Sequence, residues 1–263
     1  MVWVITNDMN TARSNLVGCG TQNASLAFGG YDGDSVLSTT EEYDGHFWTV
    51  SSDLNVARRD LAGCGTQKAA LSVGGLVSVT VLNTTEEYDG TSWALGNDIN
   101  VARFYLGGCG TQNAALSFGG QTSTFLLSEI TETYNGVSWS IESTSTIVDR
   151  FGMAGVGTQN SALSAGGHTN LTYSNVTEYW DGSAWTSKAN LNTARFGLAG
   201  AGNTGLHAIA FGGYDNSQKN NTEEFMNDYW FQGADLNVAR NCLGGSGDTQ
   251  NALSFGGSGS IKR

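Results

Sequence analysis

Three markers recur along this 263-residue chain at one interval. An arginine stands at Arg13, Arg58, Arg103, Arg150, Arg195 and Arg240. A glycine pair closes at Gly30, Gly75, Gly120, Gly167, Gly213 and Gly257. A tryptophan stands at Trp3, Trp48, Trp93, Trp139, Trp185 and Trp230. Each series keeps a spacing of 44–47 residues. So strict a period confines the chain to an array of one supersecondary unit, each copy burying its faces against its neighbours. The clearest copy runs from Asp53 to Trp93: DLNVARRDLAGCGTQKAALSVGG, a variable loop, then NTTEEYDGTSW.

Each copy carries four strand signals. The first strand starts at the arginine, with Leu16, Leu61, Leu106, Met153, Leu198 and Leu243 three residues on. A TQN or TQK turn leads to the second strand, which ends in the glycine pair. The third strand centres on TEEY, and Asp-Gly closes a hairpin to the fourth strand and its tryptophan. No stretch shows a helical apolar period. Four short antiparallel strands per repeat describe a propeller blade. The expected fold is all-β: a six-bladed β-propeller over residues 1–263, as one domain. The array starts at a fourth strand, Trp3, and stops after a second, Gly257, so the sixth blade is expected to be closed by both termini. Only Ser258 to Arg263 follow the last glycine pair, too few for the variable loop and a third strand, so either that blade is incomplete, with Arg240 lacking a glutamate of its own repeat, or the natural chain continues beyond Arg263.

The glycine pair, the third-strand tyrosine and the fourth-strand tryptophan resemble the kelch repeat. GTQNAALSFGG followed by TEEYDGxSW is similar to the near-identical kelch-like repeats of marine bacteriophage structural proteins. The resemblance implies a propeller of kelch type on a virion or in the extracellular space. There it would serve as a fibre, tail or decoration component, with other virion or surface proteins as partners.

The chain has 24 acidic against 12 basic residues, and most of its arginines stand at the repeat position. A basic footprint for nucleic acid is absent, and attraction to anionic membranes is disfavoured. No apolar run is long enough to insert into a membrane. Cys19, Cys64 and Cys109 share one position, held elsewhere by Val156, Ala201 and Ser246. Such a position takes a small buried side chain, so these thiols are expected to be reduced and close to the axis. His46, His168 and His207 fall at three different repeat positions, which argues against a metal or acid–base cluster. With no catalytic motif present, no catalytic residue, metal or cofactor is expected and the chain reads as non-enzymatic.

Two sets of residues carry the functional expectations. Glu41, Glu86, Glu132, Glu178 and Glu223 share one place on the third strand. Paired with the repeat arginine, each is expected to form a structural ion pair, because a catalytic group is needed once and a strut in every blade. The next residue (Glu42, Glu87, Thr133, Tyr179 or Glu224) varies and is expected to face solvent. The second set lies in the loops after the glycine pairs: Tyr31, Asp32, Phe125, His168, Tyr173, Tyr214 and Asp215. Loops on a rigid scaffold are where binding residues concentrate, and aromatic side chains anchor contacts. The expected function is docking to a partner or attachment to a host surface. The alternative is a glycan-binding, lectin-like extracellular propeller.

Overall fold

The computed structural model describes residues 2–259 and holds no helix among them. Five four-stranded antiparallel sheets follow one another along the chain. The first is Val17–Thr21, Ala24–Phe28, Thr40–Tyr43 and Trp48–Val50. The second is Ala62–Thr66, Ala69–Val73, Thr85–Tyr88 and Trp93–Leu95. The third is Gly107–Thr111, Ala114–Phe118, Thr131–Tyr134 and Trp139–Ile141. The fourth is Ala154–Thr158, Ser161–Ala165, Thr177–Trp180 and Trp185–Lys188. The fifth is Ala199–Thr204, His207–Phe211, Thr222–Met226 and Tyr229–Gln232. In each, spatial order follows sequence order, with the first strand innermost.

This is a β-propeller of five blades, which corrects the six expected from the repeat count. The last copy contributes only the hairpin Gly244–Gly247 and Ala252–Phe255, wedged between the first strands of blades one and five. Ser258–Gly259 pair with Arg240–Asn241, as the residue after each glycine pair pairs beside the arginine in the other five repeats. What differs is that no strand among the described residues pairs with the outer edge of Ala252–Phe255. Trp3 takes the tryptophan place of this sector, its ring 5.0 Å from Phe211 and its indole N–H donating to Thr222 Oγ1 at 3.0 Å. Residues 2–5 nonetheless form no ladder.

Small residues on the inner strands follow from crowding at the axis. A Cβ on Gly63 would come within 2.7 Å of the Phe28 ring in the preceding blade. Cys19, Cys64 and Cys109 are buried there and free of disulfides. Burial lifts the Cys64 thiol to about 12, and Cys19 and Cys109 are raised for the same reason.

Neighbouring blades lock through two side chains. The Trp93 indole lies 4.9 Å from Phe28 and donates to Thr40 Oγ1, both in the preceding blade. Trp139, Trp185 and Trp230 repeat that bond to Thr85, Thr131 and Thr177. Gln67, in the turn after the first strand, donates to the carbonyls of Ser25 and Tyr43 in the preceding blade. A main-chain cycle adds to this. The second glycine N–H of each pair donates to the carbonyl of the next repeat's arginine, from Gly30 to Arg58 round to Gly257 and Arg13 at 2.9 Å.

Candidate functional site

One end of the propeller is nearly uniform and the other is not. The TQN turns and the Asp-Gly turns lie together, with Asn23 against Gly45 and Asn113 against Gly136. The loops after the glycine pairs sit at the opposite end with the links that carry the arginines, as Leu54 N–H to Ser38 O and Arg58 N–H to Leu37 O show.

The arginine is what lets those loops differ. Arg58 Nη1 donates to the carbonyls of Gly74 and Thr84, the two stems of the loop, at 3.0 and 2.8 Å. Its Nη2 meets Glu86 Oε1 at 2.7 Å. Glu86 also accepts from the backbone and side chain of Asn55 and from the backbone N–H of Val56. Arg13–Glu41, Arg103–Glu132, Arg150–Glu178 and Arg195–Glu223 stand at 2.6–3.1 Å, all with both side chains buried. The loop base is therefore held whatever the loop contains. Burial lowers the Arg13 guanidinium to about 10, with Glu41 and then Asp53 opposing the shift, so the guanidinium stays charged at neutral pH. Arg240 forms no ion pair among the described residues; it donates to Gly256 O at 2.9 Å, and only the charge of Asp8 opposes its desolvation.

Two residues past each arginine the chain turns left-handed. Asn15, Asp60, Tyr105, Gly152, Gly197 and Cys242 all have φ between 52° and 65°. Each donates its N–H to the carbonyl of the one before: Asp60 to Asn15, Tyr105 to Asp60, Gly152 to Tyr105, Gly197 to Gly152, Cys242 to Gly197, and Asn15 to Cys242, at 2.6–3.0 Å. This closed cycle rims the axial mouth. Directly behind it stand Leu16, Leu61, Leu106, Met153, Leu198 and Leu243, and the two rings line an open cavity of about 90 Å³.

The mouth has a polar half and an aromatic half. In the polar half Asp60 is only 4% exposed. The Asn15 amide donates to Asp60 Oδ1 and, at 3.1 Å, to the Tyr105 hydroxyl. Asp60 Oδ2 has no hydrogen-bond partner and lies 3.7 Å from Arg59 Nη1. Desolvation raises the Asp60 carboxyl to about 6, against the pull of Asn15 and Arg59. Burial also raises Cys242, to about 12. In the aromatic half eight rings touch in series. Phe125 meets Phe104 at 5.8 Å, Phe104 meets Tyr105 at 5.5 Å, and Tyr105 meets Phe151 and Phe196 at 5.7 and 5.3 Å. His168 joins Phe151 to Tyr173 at 5.3 and 5.1 Å, and Tyr173 meets Tyr214 at 5.9 Å. Edge-to-face pairs of this kind add to the burial of the rings themselves.

Of the residues singled out in the sequence, the structure gathers His168, Tyr173, Tyr214 and Phe125 into this belt. Phe125 is 66% exposed at its outer end. Burial lowers the His168 pKa, which keeps the ring neutral at pH 7, and its Nδ1 accepts the Asn170 N–H at 3.0 Å. Tyr31 stands apart, beneath the Arg59 guanidinium at 5.4 Å. Asp32 is spent on its own turn, where the Ser35 and Asp34 amides lower its pKa. Asp215 pairs with Lys219 at 2.5 Å. Glu42 and Glu87, expected in solvent, are part-buried and accept the Tyr88 and Tyr134 hydroxyls of the next blade. The sequence reading missed Asn15, Asp60 and Tyr105, and also Phe104, Phe151 and Phe196, which follow the repeat arginine directly. Among the described residues no three His, Cys, Asp or Glu side chains cluster as a metal site would require. No family model matches the chain, and no curated protein matches it.

Proposed function

We propose that the chain is a non-enzymatic docking propeller that engages a macromolecular partner through the aromatic half of its variable-loop face. One observation carries the reading. Apart from the exposed Phe125, the rings of the belt to Tyr214 are part-buried or buried, touch one another in series and lie at the end of the propeller where the repeats differ. Pre-ordered aromatic rings lose little conformational freedom when a partner covers them, which is why such residues dominate binding energy. The kelch-like style of the repeats supports a virion setting, as a fibre, tail or decoration component that holds another virion protein or a host surface. Mass spectrometry of purified virions from the source tests the setting: the chain should be found in them, and its absence would sink the virion part. Binding to host envelopes should be lost on Tyr173→Ala with Tyr214→Ala, while the melting temperature stays within a few degrees. Binding that survives both changes would sink the docking face.

The second reading is a lectin. What favours it is the meeting of aromatic rings with Asn15, Arg59 and Asp60 at one mouth, since sugars present an apolar face and a hydroxyl edge together. A glycan array probed with the intact chain decides between the two. Periodate treatment of host envelopes should abolish capture if the ligand is a glycan, and protease treatment should abolish it if the ligand is a protein.

A further inference from the structure

We propose that the outer edge of the closing hairpin, Ala252–Phe255, is a strand-acceptor site. It takes an extended segment of sequence Thr-Glu-x-aromatic that lies outside the described residues and that a free peptide can supply. The inference rests on bonds that three to five of the other repeats make and the last does not, and it is independent of the variable-loop face.

Four groups around that edge have equivalents elsewhere whose partners are known. First, the Gly29 N–H donates to Thr39 O at 3.1 Å, and Gly74, Gly119, Gly166 and Gly212 repeat the bond. Gly256 makes no such bond among the described residues. Second, Gln67, Gln112 and Gln159 each donate to two carbonyls of the preceding blade, one of them the third-strand tyrosine's. Gln22 reaches only Ala252 O, at 3.3 Å. Third, Trp93, Trp139, Trp185, Trp230 and Trp3 each donate to a third-strand threonine of the preceding blade. Trp48 packs on Phe255 at 4.9 Å and is 7% exposed, yet its indole has no acceptor among the described residues. Fourth, Arg240 lacks the carboxylate that its five counterparts hold. Asn237 donates to Trp3 O at 3.0 Å, just as Asn10 donates to Trp48 O, but lacks the glutamate that Asn10 also binds.

Read together, these groups are the imprint of one short strand. A threonine would accept from Trp48. A glutamate one residue on would pair with Arg240 and Asn237. An aromatic residue two further on would offer its carbonyl to Gln22 and its ring to Trp3, as Tyr43 stacks on Trp48 at 5.0 Å. The carbonyl before the threonine would take the Gly256 N–H. An open strand edge adds the ladder bonds themselves, and this is how sheets recruit extended peptides. A second copy of this chain is a poor donor. Its own threonines and glutamates at these positions, such as Thr85 and Glu86, are wholly buried in their own sheets, so release would dismantle a blade.

The test uses the intact chain and a fluorescent peptide of sequence NTTEEYDG, copied from residues 83–90. Anisotropy should show saturable binding. The peptide with the Glu86→Ala change should bind at least tenfold more weakly, and a scrambled peptide should not bind. Arg240→Ala in the protein should weaken the native peptide by a similar factor, with circular dichroism confirming the fold. Because the peptide change leaves the protein untouched, the test stands even if that variant misfolds. In hydrogen exchange, amides of Ala252–Phe255 should be less protected than those of Ala114–Phe118 and should slow on binding. The proposal is overturned by any of three results: no saturation at millimolar peptide, binding indifferent to the glutamate, or full protection of Ala252–Phe255 before peptide is added.

Discussion

The backbone N–H of Asn15 donates to the carbonyl of Cys242 at 2.8 Å. The two residues belong to the first and last repeats, and their bond completes a cycle that six repeats share although only five build a four-stranded blade. The axial mouth is thus framed by main chain, and side chains there are free to differ. Asn, Asp, Tyr, Gly and Cys all occupy the same rim position.

The buried ion pair should be unforgiving. Glu86→Ala removes the partner of Arg58 and the acceptor for Asn55 and Val56, leaving a guanidinium charged in dry surroundings. A loss of about 3–5 kcal/mol is expected in urea unfolding. Arg240→Ala, which breaks no ion pair, should cost less than half as much; equal losses at the two sites would contradict the strut reading.

Asp60 should make stability depend on pH in an uncommon direction. Its folded pKa, about 6, lies above the ordinary aspartate value near 3.9. Between those values the folded chain holds the proton and the unfolded chain does not. Stability contributed by protonated Asp60 is therefore full below about pH 4 and lost as pH rises through 6, by about 2–3 kcal/mol in all. Asp60→Asn keeps an acceptor for Asn15 and suits a left-handed position. It should raise the urea midpoint at pH 8 and leave it nearly unchanged at pH 4. A midpoint unchanged at pH 8 would mean the ionised carboxylate is not strained.

The four cysteines should be silent in the native state. Burial raises all their pKa values, and the thiolate is the reactive form. Mass spectrometry after brief alkylation at pH 8 should find no adduct on Cys19, Cys64 or Cys109, and four adducts once denaturant is added. Rapid native labelling of any of those three would displace it from the axis.

Gly152→Ala should damage the mouth from within. The position needs φ of 65°, and a Cβ there would lie 2.1 Å from the Phe196 ring. A loss of about 2–3 kcal/mol is expected from the left-handed backbone and the overpacking together. The near-ultraviolet circular dichroism of the aromatic belt should change with it.

Much of this was legible in the repeat, and the exceptions have physical causes. Arg58 and Glu86 announce their pairing because both recur and neither tolerates burial alone. The blade count misled because markers were counted, whereas a blade needs a third strand. The last repeat keeps its arginine, glycines and, in Trp3, its tryptophan, but no described segment reaches the edge of Ala252–Phe255. The rim was hidden for another reason. What repeats at Asn15, Asp60 and Tyr105 is a backbone torsion, and side chains so unlike one another conceal it. Gly152 and Gly197 at the same position were the available signal. The belt escaped because Phe104, Phe151 and Phe196 replace Ser14 and Arg59, so the position looks random until the folded chain sets its members side by side.

The rim cycle also keeps count. Genes made of near-identical repeats gain and lose copies when misaligned strands recombine, and each such product would still contain well-formed hairpins. What it would lack is a closed circuit: with one member too few or too many, an amide and a carbonyl at the axis are left bare or the whole circumference must change its curvature. A bare buried group costs about 1–3 kcal/mol, a large part of the stability of an ordinary domain. A chain with one repeat deleted is therefore expected to open more often than this one, its axial circuit strained or broken.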